Sequence, residues 1–179
     1  MKEKVLALDL STHRSGWAIE VNGKLEYGAI ESASSDVEKR IGIMREGILN
    51  LLERYDVDTV VIEEVRPDGY NSRTGKVLTW LQGCIDVAIY EYNKKIKIVF
   101  IGPSSWRSVL GIQGYRIKRE QQKLLDIKWV NNHFNLSLSN AQDDEADALA
   151  ILASYSKNAA VLSSQKQKLG EIGAEESAF

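Results

Sequence analysis

Residues 5–30 read Val-Leu-Ala-Leu-Asp-Leu-Ser-Thr-His-Arg-Ser-Gly-Trp-Ala-Ile-Glu-Val-Asn-Gly-Lys-Leu-Glu-Tyr-Gly-Ala-Ile, and this stretch decides the fold. Val5 to Leu8 form a short apolar run that stops at Asp9. Gly16 to Ile19 form a second run after a small polar loop. Asn22-Gly23 then separates it from a third run, Leu25 to Ile30. A two-residue hairpin turn needs positive φ at its central positions, which Asn and Gly tolerate best. Three antiparallel strands in a meander is the economical reading.

Downstream, Ser35-Asp36-Val37-Glu38 reads as a capping box. It opens a helix with Val37, Ile41, Met44, Ile48, Leu51 and Leu52 on its buried side. Asp56-Val57-Asp58 ends that helix, and Thr59 to Ile62 reads as a fully buried strand ending at Glu63. Residues 66–75 are a polar loop with turn chemistry. The pattern then predicts a helix from Lys76 to Asn93, a fifth strand from Ile96 to Ile101 stopped by Gly102-Pro103, and a short helix with a basic loop. Two more helices follow, from Lys118 to Phe134 and from Gln142 to Ser156. The order βββαβαβαα implies an α/β fold layered around a mixed sheet. We expect one domain over residues 1–156 and a polar C-terminal tail over 157–179, where Ser, Gln, Lys, Glu and Gly take over.

Composition narrows the chemistry. A chain of 179 residues suits one compact domain, and 44% apolar with 27% charged residues is ordinary for a soluble protein. No run approaches a membrane-spanning length, and the first residues lead into a strand pattern instead of a signal peptide. No membrane association is expected, and the setting expected is the cytoplasm. Cys84 is the single cysteine, which excludes an internal disulfide and a cysteine zinc cluster. With His13 and His133 alone, a histidine-rich metal site is excluded too. Any metal would be a hard cation held by carboxylates. The net charge of −2 argues mildly against a nucleic-acid partner, but clustering of positive charge matters more than the sum.

Asp9 and Glu63 each stand at the end of an apolar run, a place where an acid also serves simply as a turn residue. A third group, Asp143-Asp144-Glu145-Ala146-Asp147-Ala148-Leu149-Ala150, has a bland reading as well, since the helix macrodipole favours acids in a first turn. Asp144 and Asp147 are three apart, however, and project from one helical face. Small apolar residues follow Asp147 at once, and an acid at that depth is costly without a cation or hydrogen-bond partner. Two divalent metals about 3.5–4 Å apart need several carboxylates converging on one point. One metal activates a water for attack on phosphorus, and the other stabilises the leaving oxygen. The carboxylate bridging them should come from the central strand, which selects Asp9.

These segments resemble a family. Val-Leu-Ala-Leu-Asp-Leu-Ser-Thr followed by Ser-Gly-Trp-Ala is similar to the first hairpin of RNase H-like nucleases. Val-Ile-Glu-Glu and Asp-Glu-Ala-Asp-Ala-Leu-Ala resemble the second and third motifs of RuvC-type Holliday junction resolvases, and the resemblance covers residues 4–155. It implies an RNase H-like fold, a five-stranded mixed sheet flanked by helices. Its register selects Glu63 over Glu64 and places the third-motif pair on Asp144 and Asp147. It also implies Mg²⁺, replaceable by Mn²⁺, with two ions per site. The activity implied is that of a homodimer nicking opposed strands of a four-way junction, in DNA recombination and repair in a bacterial cell or a phage-infected host.

Basic residues gather between Ser104 and Lys123, where Arg107, Arg116, Lys118, Arg119 and Lys123 face the single acid Glu120. The functional reading is a DNA phosphate ridge, and the plain reading is a solvated helix start. By resemblance Arg107 and Lys118 match positions that are basic in resolvases, with Lys118 near the scissile phosphate as a catalytic group. Arg66, Arg73 and Lys76, with Tyr70, form a second candidate patch for branched DNA. The chain departs from bacterial resolvases three residues after Glu63. The aromatic wedge usual there is Arg66 followed by Pro67, with Tyr70 the nearest stacking candidate. The helix beginning at Lys76 carries Leu78, Trp80, Leu81, Ile85, Ala88, Ile89 and Tyr92, a spread wider than one stripe. By resemblance it forms part of a dimer interface. Competing readings are an ATP-handling protein of the actin and sugar-kinase type, a nuclease acting on flaps or RNA, and a non-catalytic DNA-binding module on the same fold. The first lacks its further Gly-rich phosphate loops.

Overall fold

The computed structural model describes residues 3–65, 72–112 and 117–176, with side chains as far as Ala159. Strands β1 (Val5–Asp9), β2 (Arg14–Val21) and β3 (Lys24–Glu31) form the expected antiparallel meander. Asn22 and Gly23 both adopt positive φ, 52° and 78°, and so supply the turn that the meander requires. Helix α1 (Val37–Tyr55) leads to β4 (Thr59–Glu63), which lies parallel to β1. Helix α2 (Arg73–Tyr92) leads to β5 (Lys97–Ile101), parallel to β4. The order β3-β2-β1-β4-β5 makes the five-stranded mixed sheet that the sequence implied. Helices α3 (Pro103–Leu110), α4 (Arg119–Phe134) and α5 (Asp143–Glu176), the last preceded by a 3-10 turn at Asn140–Gln142, follow in the described residues.

Alternation along the strands sorts the core into two layers. Leu6, Leu8, Ile19, Val60 and Ile62 pack against Met44, Ile48 and Leu52 of α1 and Leu81, Ile85 and Ile89 of α2. On the other face Val5, Ala7, Ala18 and Val61 meet Trp106 of α3, Val130 of α4 and Ala146, Leu149 and Ala150 of α5. Small residues on α5 bring its axis close to the sheet.

Several boundaries differ from those read in the sequence, three of them with a clear physical cause. Asp36, not Ser35, caps α1, and its carboxylate accepts from the Lys39 backbone N–H at 2.8 Å. An ionised cap also complements the positive end of the helix, which favours it over the neighbouring serine. Helix α2 begins three residues early because Ser72 accepts from the Gly75 N–H at 2.9 Å. Helix α5 does not stop near Ser156 but continues to Glu176. No Gly or Pro lies between Lys157 and Leu169, so polar composition alone does not interrupt it. Among the described residues no helix is long and apolar enough to cross a membrane.

Candidate active site

Asp9 and Glu63 are the last residues of adjacent parallel strands, in which Leu8 pairs with Ile62. Period-2 alternation points both acids to the face covered by α3, α4 and α5. Helix α5 supplies the other acids from its first turns, and Gly16 explains how it comes so near. Gly16 lies opposite Asp9 in the antiparallel register. A Cβ built on it would stand 1.9 Å from the Asp144 backbone oxygen. The α5 N-terminus therefore rests directly on the β2 backbone, beside the end of β1.

The resulting electrostatics are those of crowded carboxylates. Burial pushes the Asp9 carboxyl well above the usual range, and Glu63, Asp147, Asp144 and Asp143 push it further. Burial and then Glu63 and Asp126 raise Asp147 in the same way, against the pull of Arg107. Burial and Asp143 also raise Asp144, while Arg14 and Lys123 pull it down. Four elements thus bring like charges into mutual range at one end of the sheet.

Each acid of the rim also has its own partner. The Trp106 indole N–H donates to Glu63 Oε2 at 2.6 Å. Arg14 Nη1 donates to Asp144 Oδ2 at 3.2 Å, and the same guanidinium is clamped by the buried Glu145 and by Glu31. Lys123 pairs with Asp143. Arg107 Nη2 lies 4.0 Å from Asp147 Oδ2. Among the described residues, no three Asp, Glu, His or Cys side chains stand together as a ready-made metal cage. As a donor set they nevertheless fit a hard divalent cation, since all are carboxylate oxygens whose mutual repulsion such a cation would relieve.

Comparison with known proteins decides the family. The family described as "Crossover junction endodeoxyribonuclease RuvC" matches residues 5–155, a span holding all four acids. This chain belongs to the RuvC family. A RuvC from Dictyoglomus thermophilum is 27% identical over 157 residues, spanning 84% of this chain and 94% of the relative. One from Thermomicrobium roseum is 25% identical over 157 residues, 85% of this chain and 91% of the relative. In fold the chain is similar to a Thermus thermophilus RuvC solved in complex with Holliday junction substrate, with a TM-score of 0.67 and 18% identity over 89% of this chain and 96% of that one. A yeast mitochondrial Holliday junction resolvase gives a TM-score of 0.54 at 16% identity, over 87% of this chain and 78% of that one. The sheet and helices described above are therefore the RNase H-like fold of RuvC structures.

Around these four acids the other sequence candidates scatter. Glu63 turns into the site whereas Glu64 is exposed. Lys118 and Arg119 are exposed at the start of α4, and Arg73 and Lys76 are exposed in the first turn of α2. Arg66, Tyr70 and Arg116 lie outside the described residues. Arg107 requires a correction. Expected on the outward phosphate ridge, it turns inward, with 14% of its side chain exposed. The cause is Asp126, fully buried on α4, which accepts from Arg107 Nε at 3.0 Å and Nη2 at 2.8 Å. Although burial works to lower the Arg107 pKa, this carboxylate keeps it above its ordinary value.

Sequence reading missed Arg14, Trp106, Asp126 and Glu145. Glu145 is 5% exposed and holds Arg14. The signal was present for Asp126 alone, an acid at a position where α4 is otherwise apolar beside Ile127 and Val130. A cleft of about 490 Å³ lined by Leu25, Leu110, Trp129, Phe134 and Leu152 contains none of the four acids. It is separate from the acid cluster.

Proposed function

We propose that this chain is a structure-selective DNA endonuclease that resolves four-way junctions by paired nicks, hydrolysing phosphodiester bonds with two divalent ions, Mg²⁺ or Mn²⁺. The observation that carries the reading is the convergence of Asp9, Glu63, Asp144 and Asp147 at one end of the sheet, in a chain of the RuvC family. These four carboxylates would hold the cations. Bound there, such ions lower the pKa of an attacking water and stabilise the leaving oxygen.

The chain's own residues do the remaining work. Asp9 and Glu63 are set by strand ends, which are rigid, and Asp144 and Asp147 by a helix seated on backbone. Lys118 and Arg119, at the exposed start of α4, meet DNA phosphates, with Lys118 nearest the scissile one. Lys123, one turn further, borders that ridge while paired with Asp143, and Arg73 and Lys76 on α2 form a second strip. Two active centres are needed for paired nicks, so the functional unit is a homodimer. Trp80, Val87 and Tyr90, 61%, 56% and 56% exposed on α2, offer it an apolar face. The reaction takes place in the cytoplasm, on branched DNA.

A cleavage assay with Mg²⁺ or Mn²⁺ on four-way junctions, flaps, linear duplex and RNA–DNA hybrids tests the reading. Symmetric paired nicks restricted to junctions are expected. Cutting of RNA strands alone would overturn it.

A further inference from the structure

Glu63 and Asp147 lie on elements far apart in the chain, β4 and α5, yet two consecutive residues of α3 contact them both. Trp106 donates its indole N–H to Glu63 Oε2 at 2.6 Å. Arg107 lies across the Trp106 ring, its Cζ 4.1 Å from the ring centroid, and its Nη2 reaches within 4.0 Å of Asp147 Oδ2. The guanidinium is held from behind by Asp126, which meets Nε side-on at 3.0 and 3.2 Å and Nη2 at 2.8 Å. Gln122 Nε2 donates to Asp126 Oδ1 at 2.9 Å and fixes that carboxylate in turn.

This arrangement is difficult to explain as a device for stability. Burying an ion pair carries a desolvation cost that an apolar pair of similar volume avoids. Trp106 and Asp126 are both fully buried, so neither can meet DNA. What the pair does is geometric. Trp106 has two side-chain dihedrals and one donor, so its packed ring aims a single N–H along one direction. Glu63 has three dihedrals and sits among like charges that would drive it outward. The indole N–H pins one of its oxygens. Asp126 likewise prevents Arg107 from swinging to solvent and keeps its positive charge opposite Asp147.

Resting on the proposed nuclease reading, we propose that Trp106 and Asp126 are positioning residues of the active centre, Trp106 orienting Glu63 and Asp126 holding Arg107 against Asp147. They touch no substrate and act through the acids that would hold the cations.

The test uses the full-length protein and three variants: Trp106→Phe, Asp126→Asn, and the double Asp126→Asn/Arg107→Gln, which leaves no unpaired charge buried. Three quantities are measured. These are the single-turnover cleavage rate of a four-way junction in Mg²⁺, the junction Kd in Ca²⁺, and the Mg²⁺ concentration giving half of the thermal stabilisation by that metal. All three variants are expected to cut about 10–100-fold more slowly and to need about 10-fold more Mg²⁺, with the junction Kd changed by less than about twofold. The double variant should regain the wild-type thermal midpoint without regaining the rate, which a purely structural role would not allow. Wild-type rates and Mg²⁺ response in Trp106→Phe and Asp126→Asn would overturn the proposal, as would a double variant that recovers both midpoint and rate. If the wild type cuts no junction but the Mg²⁺ response shifts as expected, the junction reading fails and the positioning role stands. A wild-type midpoint indifferent to Mg²⁺ would overturn both.

Discussion

Gly16 and Asp144 touch through backbone: a Cβ on Gly16 would fall 1.9 Å from the Asp144 carbonyl oxygen and 2.9 Å from the Glu145 nitrogen. Nothing flexible lies in that gap, so any side chain at residue 16 must move α5 or β2. Moving α5 carries Asp144 and Asp147 away from Asp9. Gly16→Ala is therefore expected to lower junction cleavage by about 100-fold or more, the loss that a misplacement near 1 Å can cause. It should also destabilise the fold by about 1–3 kcal/mol, as overpacking does. Wild-type cleavage by this variant would show that the close approach does not set the site.

Crowding of the acids gives a pH dependence with a definite sign. Asp9 and Asp147 have folded-state pKa values raised above the ordinary 3.8. Between 3.8 and those raised values the folded state binds more protons than the unfolded one, so stability falls as pH rises through that window. In EDTA the thermal midpoint should therefore decline on raising the pH above about 4. Asp9→Asn should flatten this decline and raise the metal-free midpoint at neutral pH by a few degrees. The same substitution, and Asp147→Asn, should abolish turnover while largely preserving junction binding. A variant retaining wild-type turnover would remove its residue from the centre.

Arg14 serves three carboxylates at once, those of Asp144, Glu145 and Glu31. Its hydrogen bond to Glu145 contributes most to a pKa above the ordinary arginine value. Arg14→Met leaves the buried Glu145 uncompensated and should cost about 1–3 kcal/mol in urea denaturation at neutral pH. Adding Glu145→Leu should return most of that stability, because a neutral pair no longer pays for desolvation. A single variant as stable as wild type would contradict the assignment.

The exposed basic strip predicts a particular salt response. Lys118→Ala should slow single-turnover cleavage more than it weakens binding. Arg119→Ala and Lys76→Ala should each weaken binding to all junction sequences and reduce the slope of log K against log salt by about one. An unchanged slope removes that residue from the phosphate contacts.

The exposed face of α2 predicts self-association. Trp80→Glu should raise the dimer dissociation constant by about 30-fold or more, the effect of losing an aromatic hot spot of about 2 kcal/mol. Sedimentation velocity reads this directly. If the wild-type protein sediments as a monomer at all accessible concentrations, the dimer reading fails.

The sequence alone determined much of the frame. Alternating apolar runs and Asn22-Gly23 set the β1–β3 meander, and the ends of the runs placed Asp9 and Glu63 at strand termini. Spacing placed Asp144 and Asp147 on one face of α5. These features depend on residues a few positions apart, where propensity and periodicity act. Arg14 meeting Asp144 spans 130 positions, Trp106 meeting Glu63 spans 43, and Arg107 meeting Asp126 spans 19. No local pattern encodes such encounters. Tertiary packing decided them, because helix α5 can approach only where Gly16 leaves room, and a buried charge settles where another can meet it. Arg107 is the plainest case: in the chain it is one basic residue of an exposed ridge, and in the fold Asp126 turns it toward the acids.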